Sequence, residues 1–344
     1  VFFASSSNAV FDYDEAVKLA PQNVEVIRSR GLFLLMLNKY DGAIADLDAA
    51  LVLDPEHADT HEARGVALFL TKDYVEAMKS FDKAVELAPK NSMAYTHRAR
   101  IHAIQGDTAK ALAELDKGLE VDPDSLNVLL LRARVYQQAG DVKKALADVD
   151  HALKVKPGLV QALQLHAVLA AGAGKFDAAI DDLEQLKKAA PGNTELLVQL
   201  GMFYAADKKP QKAVDTFDQV LSEDGKNWIA YRGRADAYLS IGKQAEAIAD
   251  YEAALKLQPG NSGILNNLAW ILATSPEDKL RNGKRSIELA EQACKATEFK
   301  QAHIVSTLAA AYAETGDFDK AVEWSKKAVD LGAEQLKGQL TKEL

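Results

Sequence analysis

The chain has 344 residues, of which 48% are hydrophobic, and its formal net charge is -9. Nucleic acids and anionic membranes attract basic surfaces, so this acidic balance argues against either as the main partner. The single cysteine, Cys294, excludes an internal disulfide, and no apolar run approaches the length that a membrane span needs.

The first 23 residues are predicted to hold one helix. The opening letters VFFASSSN follow no helix pattern seen later, whereas Ala9, Tyr13 and Ala16 share the spacing of the second helices described below. We therefore favour a chain that begins inside a repeat and keeps only its second helix. The alternative is the end of a secretory signal, because an apolar start is followed by small residues. The compartment stays unknown: cytoplasmic in the first case, periplasmic or secreted in the second.

A unit of 34 residues then repeats along the chain. Each unit contains two apolar helical patterns, a polar turn between them, and a proline that ends the second helix. Such a period is typical of stacked helix pairs, each burying its apolar face on its neighbours. The prolines are Pro21, Pro55, Pro89, Pro123, Pro157, Pro191 and, after Gly225, Pro259. Full repeats begin at Val24, Ala58, Ser92, Leu126, Val160, Thr194, Trp228 and near Ser262.

Three further sets of positions, which we call columns, recur with the same 34-residue period. Only small residues stand in the first-helix column: Gly31, Gly65, Ala99, Ala133, Ala167, Gly201, Ala235 and Ala269. The second helix has an alanine column, which is Ala43, Ala77, Ala111, Ala145, Ala179, Ala213 and Ala247. Its bulky column is Leu47, Phe81, Leu115, Val149, Leu183, Phe217 and Tyr251. Small residues facing large ones let antiparallel helices interlock closely.

The end of the chain departs from the period. Ala269 and Ala309 are 40 residues apart rather than 34, which predicts an inserted loop near 275–285 in the eighth repeat. Within this segment, Ser275 heads a pattern typical of a helix start. A ninth repeat is predicted to end at 335. The tail after it is predicted to cap the last exposed face through three leucines at helical spacing: Leu336, Leu340 and Leu344.

With four columns in phase over seven repeats, the chain resembles the tetratricopeptide repeat family over nearly its whole length. The resemblance implies an all-α fold, a right-handed superhelical solenoid of antiparallel helix pairs in one domain. It also implies a non-enzymatic scaffold that binds a partner protein or an extended peptide in its concave groove. The alternative is a structural self-assembly module that stacks with copies of itself, which would make a homo-oligomer.

The sequence predicts no catalytic, metal or cofactor-binding residue. His57 and His61 are four residues apart and could chelate a metal from one helix face, but no third ligand follows at a recognised spacing. A structural role is therefore favoured for both histidines. Phosphate-binding loops, nucleophile elbows and dinucleotide fingerprints do not occur in the sequence.

Arginines stand beside the small column of the first helix, at Arg30, Arg64, Arg98, Arg132 and Arg234. An acidic column runs through the second helices: Asp14, Asp48, Asp82, Asp116, Asp150, Glu184, Asp218 and Glu252. These two columns predict ion pairs between helices rather than a ligand site. The pattern leaves open whether each arginine pairs with this acid or with one two residues earlier, such as Asp46, Glu114, Asp148 or Asp250.

The resemblance places the binding groove on first-helix residues that point away from the second helix. The family's best-known peptide-tail readers use a clamp of lysine and asparagine, and the predicted lining has no lysine, so a chaperone-tail reader is not expected. The candidate partner-binding residues are His97, Arg100, Leu130, Arg134, Gln137, Gln138, Val168, Ala171, Met202, Arg232 and Trp270.

Arg100 and Arg134 are predicted to recognise an extended acidic segment. They occupy the same place in successive repeats, so about 10 Å should separate them. An extended peptide advances about 3.3 Å per residue, and carboxylates three residues apart could meet both guanidinium groups. His97, Gln137 and Gln138 would add polar contacts. The alternative is that both arginines pair with Glu62 or other local acids, or are simply solvated.

Overall fold

The structure is a computed structural model that describes the backbone of residues 2–343 and the side chains of residues 10–333. Within the described backbone every regular element is a helix, and no β-strand occurs. The predicted all-α fold is therefore confirmed. The chain divides into two compact units, Val1–Leu169 and Ala170–Leu344, which are described separately. The expectation of a single continuous domain stays a prediction.

In the first unit, consecutive helices pack as antiparallel pairs joined by short turns, α2 with α3, α4 with α5, α6 with α7 and α8 with α9. Its helices are α1 (Phe2–Leu19), α2 (Val24–Met36), α3 (Tyr40–Leu53), α4 (Ala58–Leu70), α5 (Tyr74–Leu87), α6 (Ser92–Ile104), α7 (Thr108–Val121), α8 (Leu126–Gln138) and α9 (Val142–Val155). Helix α10 (Val160–Gly172) crosses the boundary between the units.

The second unit has the same organisation, with α12 paired with α13, α14 with α15, α16 with α17 and α18 with α19. Its helices are α11 (Phe176–Ala189), α12 (Thr194–Ala206), α13 (Pro210–Glu223), α14 (Trp228–Ser240), α15 (Gln244–Leu257), α16 (Ser262–Thr274), α17 (Gly283–Ala296), α18 (Ala302–Glu314) and α19 (Phe318–Glu343). In both units the first helix of each pair begins at the residue where the sequence pattern starts a repeat.

Side-chain caps fix many of these helix starts. The Asn23 side-chain oxygen accepts the N–H groups of Glu25 and Val26, which would otherwise lack partners in the first turn of α2. Four more asparagines cap first helices in the same way: Asn91, Asn193, Asn227 and Asn261. At these five repeats a capping asparagine therefore sets where the pair begins.

His57 and His61 are occupied by backbone groups. His57 takes the capping position of α4, where its Nδ1 accepts the Thr60 N–H at 3.2 Å. His61 Nε2 donates to the Pro55 carbonyl oxygen at 2.9 Å. The structural role predicted for both histidines is confirmed by these bonds.

The short turns inside the helix pairs, unlike the longer α16–α17 connection, use one residue in the left-handed backbone region. Gly106 and Gly140 have φ of 80° and 79°, values that glycine adopts without steric cost because it has no Cβ. Lysine fills the same place at Lys72 and Lys208, with φ of 66° and 56°. The same turn geometry is therefore kept when lysine replaces glycine at this position.

Each pair is held together by a small residue of the first helix against a large one of the second. A Cβ built on Gly65 would lie 2.5 Å from Cε1 of Phe81, whose ring is fully buried. In the second unit, Gly201 and Gly233 both touch the Phe217 ring, and an added Cβ would approach it to 2.7 Å and 2.4 Å respectively. The predicted interlocking of small and large columns is confirmed at these positions.

The segment after α16 differs from the sequence prediction. Ser275 ends α16 instead of starting a helix, and its Oγ accepts the Glu277 N–H at 3.2 Å. Only a three-residue 3-10 turn, Asp278–Leu280, follows before Asn282 caps α17. The prediction of a helix start at Ser275 is wrong because a serine can close a turn with the same hydroxyl that would cap a helix. The capping tail, with Leu336, Leu340 and Leu344, lies outside the residues whose side chains are described.

Ion pairs connect second helices through the arginine column. Arg132 makes a bidentate ion pair with Asp148, with Nε 2.9 Å from Oδ2 and one terminal nitrogen 2.6 Å from Oδ1. Its other terminal nitrogen reaches Asp116 at 2.6 Å. Hydrogen bonds to Asp148, followed by those to Asp116, raise the pKa of Arg132. One guanidinium on α8 therefore bridges α9 of its own pair and α7 of the preceding pair.

The same bridging arrangement recurs in both units. Each arginine contacts one residue sixteen positions ahead and one sixteen positions behind. The sequence left open which of two acidic columns pairs with the arginines, and the structure shows pairing with both. The sets are Arg30 with Asp46 and Asp14, Arg98 with Glu114 and Asp82, and Arg234 with Asp250 and Asp218. Arg64 bonds Asp48 and, in place of an acid, the hydroxyl of Ser80. We name these five arginines and their partners the charge ladder.

Replacing Gly65 with leucine is expected to lower the free energy of unfolding by about 1 to 3 kcal/mol, because the new side chain overlaps the buried Phe81 ring. Chemical denaturation followed by circular dichroism measures the change. Gly260→Leu is the matched control, since nothing lies within 4 Å of a Cβ added there. Equal stability of the two variants would contradict the packing described for α4 and α5.

Replacing Arg132 with alanine is expected to lower the free energy of unfolding by about 1 to 3 kcal/mol, because the buried Asp148 carboxylate loses its partner. The control is Arg134→Ala, on the same helix but outside the charge ladder, with an expected change within about 0.5 kcal/mol. A similar loss for both variants in denaturant titrations would show that the loss does not come from the ladder.

Candidate functional site

Three of the predicted site residues line one cavity in the first unit. Arg100 on α6 and Leu130 and Arg134 on α8 surround a space of about 320 Å³. Asn127, Leu131 and Gln161 complete its lining. We name this space the arginine cavity. It combines two cations with an apolar wall, which is a surface suited to a segment carrying both acidic and apolar side chains.

Arg100 and Arg134 are both exposed and make no hydrogen bond or ion pair with any described residue. This separates them from the charge ladder, whose arginines lie two residues earlier on the same helices and each bond two partners. The alternative pairing with Glu62 is wrong, because Glu62 accepts from Asn91 at 2.5 Å and lies 3.6 Å from His97. The two guanidinium groups are therefore available to a ligand.

His97 is already engaged within the first unit. Its ring stacks on Phe81 with centroids 4.8 Å apart, and only 12% of its side chain is exposed. The nearby His97 ring, with Nε2 3.6 Å from Oε1 of Glu62, is the main reason that the pKa of Glu62 is lowered, and burial of Glu62 opposes that shift. Gln137 is half-buried and Gln138 exposed, and neither is among the residues that line the arginine cavity. The sequence prediction that these three residues surround the arginines therefore stays untested.

Val168 and Ala171 fall in different units. Val168, in the first unit, is exposed, and Ala171, in the second, is half-buried. Neither is among the lining residues of the arginine cavity or of the three cavities described in the second unit.

Met202 and Arg232 line a cavity of about 260 Å³ in the second unit. Phe217 forms part of its wall, where Gly201 and Gly233 leave room for the ring. Asp236 lies on the boundary of this cavity and of a larger one next to it. Met202 is 45% exposed, which gives this cavity an open apolar edge.

Trp270 lines the larger neighbouring cavity, of about 430 Å³. Asp236 and Tyr251 lie in its wall, and the remaining lining residues are Leu239, Asn266, Asn267, His303, Ser306 and Thr307. We name it the carboxylate cavity. The sequence prediction placed Tyr251 in the packing column and did not single out His303, because their approach to Asp236 and Trp270 depends on the tertiary fold.

A hydrogen-bond network fixes the polar wall of the carboxylate cavity. The Tyr251 hydroxyl donates to Oδ1 of Asp236, and Nδ2 of Asn267 lies 3.4 Å from the same oxygen. The same Asn267 nitrogen donates to the Tyr251 oxygen at 3.2 Å. Burial raises the pKa of Asp236, and the Tyr251 hydrogen bond partly opposes that rise. Burial also raises the pKa of Tyr251, so its hydroxyl stays protonated and available as a donor.

Two searches of the described residues bear on other kinds of site. No group of three or more His, Cys, Asp or Glu side chains in the described part of the chain is placed to hold a metal ion. No described helix is both long enough and apolar enough to cross a membrane.

Family models for the tetratricopeptide repeat match this sequence in consecutive stretches, at residues 9–55, 29–92, 80–113, 102–169, 170–233 and 218–335. With the helix pairs described above, these matches show that the chain belongs to the tetratricopeptide repeat family. Proteins of this family are generally protein-interaction scaffolds. The resemblance predicted from the repeat columns is therefore confirmed.

Known proteins and structures are similar over parts of the chain. A tetratricopeptide repeat and J domain-containing co-chaperone, DNJ1 of Fusarium oxysporum f. sp. lycopersici, is 28% identical over 116 residues. That match covers 33% of this chain and 22% of the co-chaperone, so it spans about a fifth of that protein.

Two solved structures share the fold. The C-terminal part of a TPR repeat-containing protein from Cytophaga hutchinsonii has a TM-score of 0.57 at 18% identity, covering 70% of this chain and 96% of that one. YrrB, described as a TPR protein with an unusual peptide-binding site, has a TM-score of 0.51 at 20% identity, covering 55% of this chain and 98% of its own.

Proposed function

We propose that this protein is a non-enzymatic scaffold that binds an extended acidic segment of a partner protein in the arginine cavity. The observation that carries the proposal is the pair of exposed, unpaired guanidinium groups of Arg100 and Arg134 around one cavity. Elsewhere in the same unit, arginines of the charge ladder are held by acids. Two unpaired cations around one cavity suit a ligand that supplies the carboxylates, whereas the remaining alternative is that both side chains are simply solvated.

The shape and chemistry of the cavity narrow the ligand. The two arginines belong to successive repeats, so packed helices should separate them by about 10 Å, which three residues of extended chain span. Leu130 and Leu131 give the same cavity wall an apolar part. The favoured ligand therefore carries two acidic residues three positions apart with a large apolar residue between them. YrrB, which is described as having a peptide-binding site, shows that a protein of this fold can hold a peptide.

An Arg100→Glu, Arg134→Glu double variant is expected to bind such a segment at least about tenfold more weakly, because two attractive contacts become repulsive. Fluorescence anisotropy with a labelled peptide containing Glu-Leu-Ala-Glu measures the affinity, and a peptide with both glutamates replaced by glutamine is the ligand control.

The matched control for the protein is Lys143→Glu, Lys154→Glu. These two exposed lysines on α9 give the same change in net charge away from the cavity. Affinity should fall with added salt for the wild type, because the contacts are exposed. Equal affinity of the arginine variant and the lysine variant would remove the proposed site.

Self-association is the second candidate function, and one surface of the second unit favours it. Phe318, Val322 and Val329 on α19 are 67%, 53% and 67% exposed. Their spacing of four and seven residues places them on one face of the helix. Exposed apolar faces of this kind are typical of surfaces that pack against another chain.

If this face joins two copies, the mass of the protein measured by light scattering should rise with concentration toward that of a dimer. A Val322→Glu, Val329→Glu variant should then stay monomeric over the same range, because a charge placed in an apolar contact loses its hydration. A wild type that remains monomeric at every concentration would leave groove binding as the only candidate.

A further inference from the structure

The carboxylate cavity of the second unit has the opposite chemistry to the arginine cavity. Asp236 is the only residue in its lining that is formally charged at neutral pH when histidine is taken as neutral. Its side chain is 43% exposed. The two cavities lie in different units and share no residue. The ligand of one cavity is therefore inferred independently of the ligand of the other.

The Asp236 carboxylate is bonded on one side only. Oδ1 receives the Tyr251 hydroxyl and faces the Asn267 amide nitrogen. Oδ2 receives no hydrogen bond from a described residue, and its nearest cation, Nε of Arg232, stands 3.8 Å away. A carboxylate can accept about four hydrogen bonds, so this oxygen keeps capacity for a donor. Tyr251 and Asn267 hold it in a fixed orientation.

A second acceptor in the same wall also lacks a donor. Nδ2 of Asn266 donates to Oδ1 of Asn267 at 3.3 Å, and Oδ1 of Asn266 is buried without any hydrogen-bond partner among the described residues. Buried oxygen atoms without a partner are rare, and each one calls for an explanation. This oxygen has almost no accessible surface, so Asp236 Oδ2 is the acceptor that a ligand in the cavity can reach, and Asn266 adds a polar side chain to the wall beside it.

The remaining lining suits a cation with an apolar stem. Trp270 is 47% exposed in the cavity wall, and the face of an indole ring attracts a positively charged group. Leu239 offers an apolar surface along which an aliphatic stem can pack. An arginine side chain combines the stem with a planar group that carries five N–H donors. Lysine has the same charge, but its ammonium group has only three N–H donors, all on one nitrogen.

We propose that the carboxylate cavity is a binding site for an arginine side chain of a partner protein, with the guanidinium group donating to Asp236 Oδ2 beside the face of Trp270. A cavity that recognises arginine, in addition to the arginine cavity that recognises acids, would let the scaffold select partners that carry a basic residue as well as an acidic segment. This assignment does not depend on the function proposed for the arginine cavity.

Arg232 is the internal competitor for this site. Its side chain is 47% exposed and lies next to Asp236 in the adjoining cavity. If Arg232 can swing onto Oδ2, it reduces the affinity for an incoming arginine, and its removal should raise that affinity.

The test uses the full chain labelled with 5-fluorotryptophan and the probe N-acetyl-arginine methylamide. The chain has three tryptophans, Trp228, Trp270 and Trp324, so fluorine NMR gives three signals that single Trp→Phe variants assign. The expected result is a saturable shift of the Trp270 signal. N-acetyl-citrulline methylamide, which keeps the shape but not the charge, should bind at least about tenfold more weakly.

Variants locate the contact. Asp236→Asn should weaken binding of the probe at least about tenfold, and Asp215→Asn, which removes an exposed acid of α13, should not change it. Arg232→Ala should strengthen binding. If Asp236→Asn is not folded by circular dichroism, Tyr251→Phe, which removes the hydroxyl that orients the carboxylate, is tested in its place, with the same expected weakening.

Three results would overturn the proposal. They are a Trp270 signal that does not move, a citrulline probe that binds as well as the arginine probe, or an Asp236→Asn variant that binds like the wild type. None of these outcomes bears on the acidic-peptide experiment, which reports on different residues in the other unit.

Discussion

The close approach of paired helices is the constraint on which both units depend. Glycine or alanine on the first helix lets a large side chain of the second helix reach its backbone, as Gly65 and Phe81 do in α4 and α5. This contact fixes which face of each first helix is buried in its pair. The opposite face of the first helix is not needed for packing within the pair and can contact a ligand. Both candidate binding cavities take residues from such faces: Arg100 and Arg134 in the first unit, Asp236 and Trp270 in the second.

Helical geometry explains how neighbouring arginines acquire different roles. Arg132 and Arg134 are two residues apart, which turns the second side chain by about 200° around the helix axis. Arg132 therefore points to the acids of α7 and α9, whereas Arg134 points to the open cavity. The same relation holds for Arg98 and Arg100 on α6. The direction in which a charged side chain points around the helix axis therefore decides whether it holds repeats together or can contact a ligand.

Much of the fold could be predicted from the sequence because it is periodic. Starts of helix pairs, the small and large columns and the exposure of Arg100 and Arg134 all follow from position within the repeat. Features that depend on geometry between helices could not be predicted in this way. The charge ladder bonds acids on both sides because a guanidinium group has donors on two edges, and Tyr251 meets Asp236 and Asn267 only after α14, α15 and α16 have packed. His97 was assigned to binding by phase, but stacking on Phe81 already engages it.

We propose that the unpaired arginines, and not the paired ones of the charge ladder, recognise an acidic segment of a partner. A double-mutant cycle between Arg134→Ala and replacement of one peptide glutamate by glutamine tests it most directly. Direct contact predicts a coupling energy of about 0.2 to 1 kcal/mol for one of the two glutamates and none for the other. Additive effects for both glutamates would contradict the account.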